Sequence, residues 1–119
     1  MSAIAIGTQV EDLAVAYLQN HNIMILQRNF SCKLGEIDII AQQNDCIIFV
    51  EVRYRKYDAF GSAAESVTHS KQQKIIRTAE FYLQNNAWAT KLNCRFDVIT
   101  ISNVIESTQI EWIKDAFNA

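Results

Sequence analysis

A chain of 119 residues that is 50% apolar and 20% charged can bury one ordinary core, which sets aside disordered and fibrous classes. It reads as a single domain over residues 1–119. Its formal charge of −2 excludes a uniformly basic nucleic-acid binder. In chain order, the first element is a helix from about Thr8 to Asn20, with Val10, Leu13, Ala14, Tyr17 and Leu18 at helical spacing. Thr8 followed by Glu11 has the pattern of a capping box. Asn20-His21-Asn22 closes this helix, and Ile23 to Leu26 reads as a short strand running into Arg28-Asn29-Phe30.

Two strand-like runs follow, separated by the turn Gln43-Asn44-Asp45. The first is Leu34 to Ala41 and the second is Cys46 to Arg55. Simple alternation puts Glu36, Asp38 and Ile40 on one face of the first strand, and Ile37, Ile39 and Ala41 on the other. On the second strand, Phe49, Glu51, Arg53 and Arg55 share a face. Ser70 to Leu83 is a second helix with Ile75, Ile76, Ala79, Tyr82 and Leu83 as its buried stripe, Lys71 beside it, and Lys74 and Arg77 facing outward. Cys94 to Ser102 is a further strand, and Ile110 to Ile113 a short edge element. The strand–helix–strand passage over 46–55, 70–85 and 94–102 implies a parallel pair. With the hairpin, this gives an α/β fold: a mixed central sheet, antiparallel hairpin plus parallel crossover, flanked by helices.

Cys32, Cys46 and Cys94 have no paired spacing, which fits reduced thiols rather than a disulfide frame or a zinc site. Cys46 and Cys94 open apolar runs and read as buried. No basic stretch leads into an apolar signal core, and no run approaches the ~18 apolar residues of a membrane span. The expectation is a soluble cytoplasmic protein with no membrane partner.

Asp38 and Glu51 each interrupt an apolar strand. Carboxylates rarely lie in such surroundings without a partner or a metal. Paired as a hairpin, they come close together. Two such charges about 4 Å apart repel by roughly 4 kcal/mol at an effective dielectric of 20. A hard divalent cation, Mg²⁺ or Mn²⁺, would remove that repulsion and could activate a phosphate. The alternative is a structural salt bridge from each acid to Arg53, Arg55 or Arg95. Glu36 reads as a partner of Arg28. His21 and His69 read as solvated. The segment Arg53 to Arg77 holds six basic residues against two acids, so a locally positive face exists within an acidic chain.

The ordered motifs Gly7-x-x-x-Glu11, Arg28-Asn29-Phe30, Gly35-Glu36-Ile37-Asp38-Ile39-Ile40, Phe49-Val50-Glu51-Val52-Arg53-x-Arg55, Phe60-Gly61, Lys71 and Arg95-Phe96-Asp97-Val98 resemble those of the YraN family of bacterial proteins. That family is similar to the restriction-endonuclease-like, PD-(D/E)XK nuclease superfamily, near the archaeal Holliday-junction resolvases. The resemblance implies a four-stranded mixed core sheet, Mg²⁺ or Mn²⁺ held by Glu11, Asp38 and Glu51, and catalysis by Asp38, Glu51 and Arg53. It also implies nucleic acid, DNA above all, as substrate, with phosphodiester hydrolysis in branched or repair intermediates, and a homodimer. The basic residues placed to steer nucleic acid are Arg53, Arg55, Lys56, Lys71 and Lys74. The superfamily pattern has lysine where this chain has Arg53. Arginine stays protonated and cannot be a general base, which leaves that role to a water on the metal or to Lys71. The rival reading is a non-catalytic nucleic-acid-binding or protein-interaction module on a nuclease scaffold.

Overall fold

The computed structural model describes residues 3–55, 67–102 and 107–119, with side chains from residue 7 onward. The elements are α1 (Ala3–Asn20), β1 (Met24–Cys32), β2 (Gly35–Gln43), β3 (Cys46–Arg55), α2 (His69–Gln84), a short 3-10 helix (Ala87–Lys91), β4 (Asn93–Ser102) and β5 (Gln109–Phe117). The strands form one sheet in the order β1-β2-β3-β4-β5. All neighbouring pairs are antiparallel except β3 and β4, which run parallel across the α2 crossover. This is the mixed α/β architecture of a restriction-endonuclease-like fold, with a fifth strand added to the four that the resemblance implies.

Each helix covers one face of the sheet. Ile75, Ile76, Ala79 and Tyr82 of α2 pack with Ile37, Ile40, Ile47, Phe49, Phe96 and Val98. Val10, Ala14 and Leu18 of α1 pack with Ile39, Ala41, Ile48, Val50, Ile99 and Ile101. The rings of Phe49, Phe96 and Phe117 stack in series at 5.5 and 5.2 Å under the α2 side. With both faces covered, β3 reads as a nearly continuous apolar run, as a buried strand must.

Several expectations change. Helix α1 begins at Ala3, so Thr8 and Glu11 are interior residues rather than a capping box. The Ala-Ile-Ala-Ile stretch ahead of Thr8 contains no helix breaker, and Gly7 is tolerated within it. Strand β1 has nine residues, not four, because an edge strand exposed along much of its length carries Gln27, Arg28 and Asn29 without an apolar requirement. Strand β5 is likewise a full nine-residue edge strand. Cys94 is exposed and Cys46 only half-buried, because both lie where β3 and β4 begin, at the end of the sheet; all three cysteines are free. Among the described residues, no helix is long and apolar enough to cross a membrane.

The correction that matters most for the site lies at Asp38. Ile37 packs on the α2 face but Ile39 on the α1 face, so strict alternation fails between them. The same happens on the neighbouring strand. Phe30 packs on the α2 side, whereas both Arg28 and Asn29 reach toward α1. Asn29 makes this possible by taking φ +54°, a left-handed conformation that asparagine tolerates better than most side chains. Phe30 opposes Ile37 and Arg28 opposes Ile39, so both strands change faces at one level of the sheet.

Candidate active site

The sheet opens into a fork at this level. The β2–β3 ladder runs from Gln43–Cys46 to Ile39–Val50 and stops there. The next N–H on β3 that would have sought β2, that of Val52, is taken by Asp38 Oδ2 at 2.9 Å. The carboxylate thus replaces a backbone partner where the strands part. Strand β3 stays rigid on its other side, paired with β4 through to Arg55–Ser102. The fork opens a cleft of about 370 Å³, lined by Gly7, Thr8, Val10 and Glu11 of α1, Arg28 and Asn29 of β1, Glu36 and Asp38 of β2, and Val52 and Tyr54 of β3.

Glu51 follows on from the fork and is only 6% exposed. Its carboxyl is pushed up to about 8, first by burial, then by the like charge of Asp38 and a hydrogen bond to that side chain. Lys71 of α2 pulls in the opposite direction, with Nζ 3.2 Å from Glu51 Oε1, but does not cancel the other two. Near neutrality, Glu51 therefore holds its proton. Burial disfavours the charged form, and two adjacent carboxylates cannot both ionise cheaply. The anticipated structural pairing with arginine is not what holds Glu51 here: the cation beside it is Lys71, and Arg95 pairs with Asp97.

These two carboxyls fit a hard divalent cation. They are adjacent oxygen donors, one is kept neutral only by desolvation and like charge, and a doubly charged ion would reverse both effects. Glu11 is in a different position. It lines the same cleft as Asp38, but its Oε1 accepts from Arg28 Nε at 2.9 Å and from Asn29 Nδ2 at 3.0 Å. Arg28 also reaches Asp12 Oδ1 at 2.6 Å, so this guanidinium clamps α1 to β1. The carboxylates on α1 keep the Arg28 guanidinium firmly protonated, with Asp12 contributing most. This corrects the assignment of Glu36 to Arg28, because the helix residues reach it from the α1 side. Among the described residues, no three His, Cys, Asp or Glu side chains are grouped as a metal ion would require.

The remaining expected residues are dispersed. Arg53 is half-buried two residues beyond Glu51 and, among the described residues, has no ion pair. Arg55 ends β3 and is half-buried. Lys74 is exposed and, with Lys71, flanks a second depression beside Gly35, Glu36, Thr68 and Ser70. Lys56 and Phe60 lie outside the described residues, as does most of the loop after β3. Thr68 caps α2 by accepting from the Lys71 N–H, which fixes where Lys71 leaves the helix.

Sequence reasoning missed two things. One is Asn29, the residue that turns β1 and holds Glu11; its signal was an asparagine inside a strand. The other is Asp97, which is completely buried. It accepts from Trp112 Nε1 at 2.8 Å, from the Asp115 N–H at 2.9 Å and from Arg95 Nε at 3.1 Å. The β4–β5 register shifts at this point, and Asp115 has φ +54°. Asp97 therefore pins a bulge in β5 and lies away from the cleft.

Comparison with known proteins agrees with the family that the motifs suggested. The uncharacterised protein family UPF0102 matches residues 10–101, a segment that contains Glu11, Asp38, Glu51 and Arg53. A UPF0102 protein of Saccharophagus degradans is 52% identical over 111 residues, covering 93% of this chain and 91% of the relative. One from Hahella chejuensis is 46% identical over 118 residues, with 99% and 94% covered. One from Nitrosococcus oceani is 43% identical over 111 residues, with 93% and 90% covered. Their names state no activity, so the chemistry must be argued from the site.

Proposed function

The chain belongs to the uncharacterised protein family UPF0102, and from that premise we propose that it is a divalent-cation-dependent nuclease acting on DNA in the cytoplasm. The observation that carries this reading is the paired carboxyl site at the strand fork, with Asp38 in the ladder and buried Glu51 raised to about 8 beside it. Asp38 and Glu51 would hold Mg²⁺ or Mn²⁺. When bound, the ion supplies Lewis-acid activation of the phosphodiester and acidifies water. Glu11 is the third ligand that the resemblance implies, and it joins only by giving up Arg28 and Asn29.

The chain's own groups supply the rest. Loss of the Glu51 proton readies the site for a cation. Lys71, beside Glu51, would orient the attacking water or serve as its base, the role closed to Arg53 because arginine stays protonated. Arg53 neutralises charge developing on the phosphate. Arg55, Lys56 and Lys74 contact the flanking backbone, where each contact adds affinity and salt sensitivity. A two-fold branched junction would call for a second copy of the chain, the homodimer that the resemblance implies.

The test is incubation of purified protein with Mn²⁺ and single-stranded, duplex, flap and four-way DNA. Wild type should cleave at least one substrate, and Asp38→Ala should lose at least about 100-fold, the scale expected when a charge-stabilising group is removed. Salt-sensitive binding that survives Asp38→Ala and chelator, with no turnover, would establish the non-catalytic alternative instead.

A further inference from the structure

Tyr54 is the exposed aromatic at the mouth of the fork. Its residue is 45% exposed, and it shares the cleft with Val52, Asp38 and Glu11. Most other described aromatic side chains have ring partners: Phe30 with Phe81 and Tyr82, Phe49 with Phe96, Phe96 with Phe117, and Tyr17 with His21 and Trp112. Trp88, exposed on the short 3-10 helix, has none but does not line the cleft. Among the described residues, Tyr54 has no ring partner; it stands where β3 has left β2 but is still paired with β4, opposite Ile101. Its ring is therefore open on the cleft side and fixed on the backbone side.

Position adds to this. Val52 marks the level of the Asp38 carboxylate through its N–H. Tyr54 is the next residue on the same face, roughly 7 Å further along the strand. A phosphate engaged at Asp38 would carry its neighbouring base over this ring. The cleft, at about 370 Å³, lies near the lower end of the volumes that take one small ligand. Its volume is of the order of one nucleotide-sized group.

We propose that Tyr54 is a stacking platform for an unpaired base beside the cleaved phosphate, which makes DNA with an unstacked nucleotide the substrate class of this site. This rests on the hydrolytic reading above for the position of the phosphate. Aromatic stacking suits any base, so the preference is for unpairedness and not for sequence. Tyrosine's two side-chain torsions make the platform cheap to hold ready.

The experiment uses oligonucleotides carrying the fluorescent base 2-aminopurine at one position, in Ca²⁺. The base is fully single-stranded, unpaired in a bulge, or paired in blunt duplex. Wild type should quench it in the first two and bind them more tightly than duplex. Tyr54→Ala should lose about 5- to 150-fold in affinity for unpaired DNA, with its duplex affinity unchanged. Tyr54→Phe should behave as wild type, because the ring and not the hydroxyl stacks. Equal preference in wild type and Tyr54→Ala overturns the proposal, as does loss in Tyr54→Phe equal to that in Tyr54→Ala. Preference for the bulge over the single strand would identify an extruded base, and the reverse a continuous strand; both support the platform. Cleavage in Mn²⁺ separates the two readings. If Asp38→Ala cleaves as well as wild type while Tyr54 governs binding of unpaired DNA, hydrolysis at this site falls and the platform stands. If Asp38→Ala is inactive and Tyr54→Ala discriminates as wild type does, the platform falls and hydrolysis stands.

Discussion

Glu51 is the residue whose chemistry is most constrained by its surroundings. Its carboxyl is raised from about 4.5 to about 8, so the folded chain holds a proton there that the unfolded chain releases. The stability this contributes is complete below about pH 4.5 and is lost as pH rises to about 8. Thermal melts without metal should therefore fall as pH increases across that window, with a slope no steeper than about 1.4 kcal/mol per pH unit. Glu51→Gln should flatten the dependence, and an unchanged slope would show that Glu51 is not the titrating group. Cation binding must displace the same proton. Asp38, by contrast, is held in place by the Val52 N–H. The two acids were legible in the sequence because each breaks an apolar strand. Their unequal roles were not, since burial and the strand fork decide them.

At the level of elements, the face changes in β1 and β2 were hidden from any strand pattern. Period-two alternation puts Ile37 with Ile39, and only Asn29's left-handed backbone and the parting of β2 from β3 separate them. Helix α2 and strands β3 and β4 were readable within a residue or two, because their apolar runs match their period. The edge strands were underestimated, since their exposed residues carry little pattern. Asp97, within one of the family motifs, serves β5. Removing a buried, multiply bonded carboxylate strands its partners, at roughly 3–5 kcal/mol. Asp97→Ala should cost about that much in urea unfolding, while cleavage per folded molecule stays unchanged. Lost activity without lost stability would move Asp97 into the catalytic machinery. Arg28→Ala should loosen α1 from β1 and leave Glu11 held by Asn29 alone; tighter Mn²⁺ binding would show that Glu11 is then free to join the site, and unchanged binding that it is not.

On the scale of the whole molecule, a chain of net charge −2 binds nucleic acid only through a local field. The cleft carries Glu11, Glu36 and Asp38, which repel phosphate until a cation intervenes. Lys71 and Lys74 of α2 lie to one side. Binding should accordingly need both a divalent ion and these lysines. Lys74→Ala should reduce the slope of log K against log salt by about 0.9, one phosphate contact; an unchanged slope would remove Lys74 from the interface. Cation-dependent cleavage at the fork requires Asp38 and Glu51 to act as one ion-binding pair. Calorimetric titration of the chain with Mn²⁺ at pH 6 and pH 8 tests this most directly. One ion should bind, with affinity rising by up to about tenfold per pH unit as the Glu51 proton is displaced, and the binding should vanish in both Asp38→Asn and Glu51→Gln. Binding that is unchanged in either variant, or independent of pH, would contradict it.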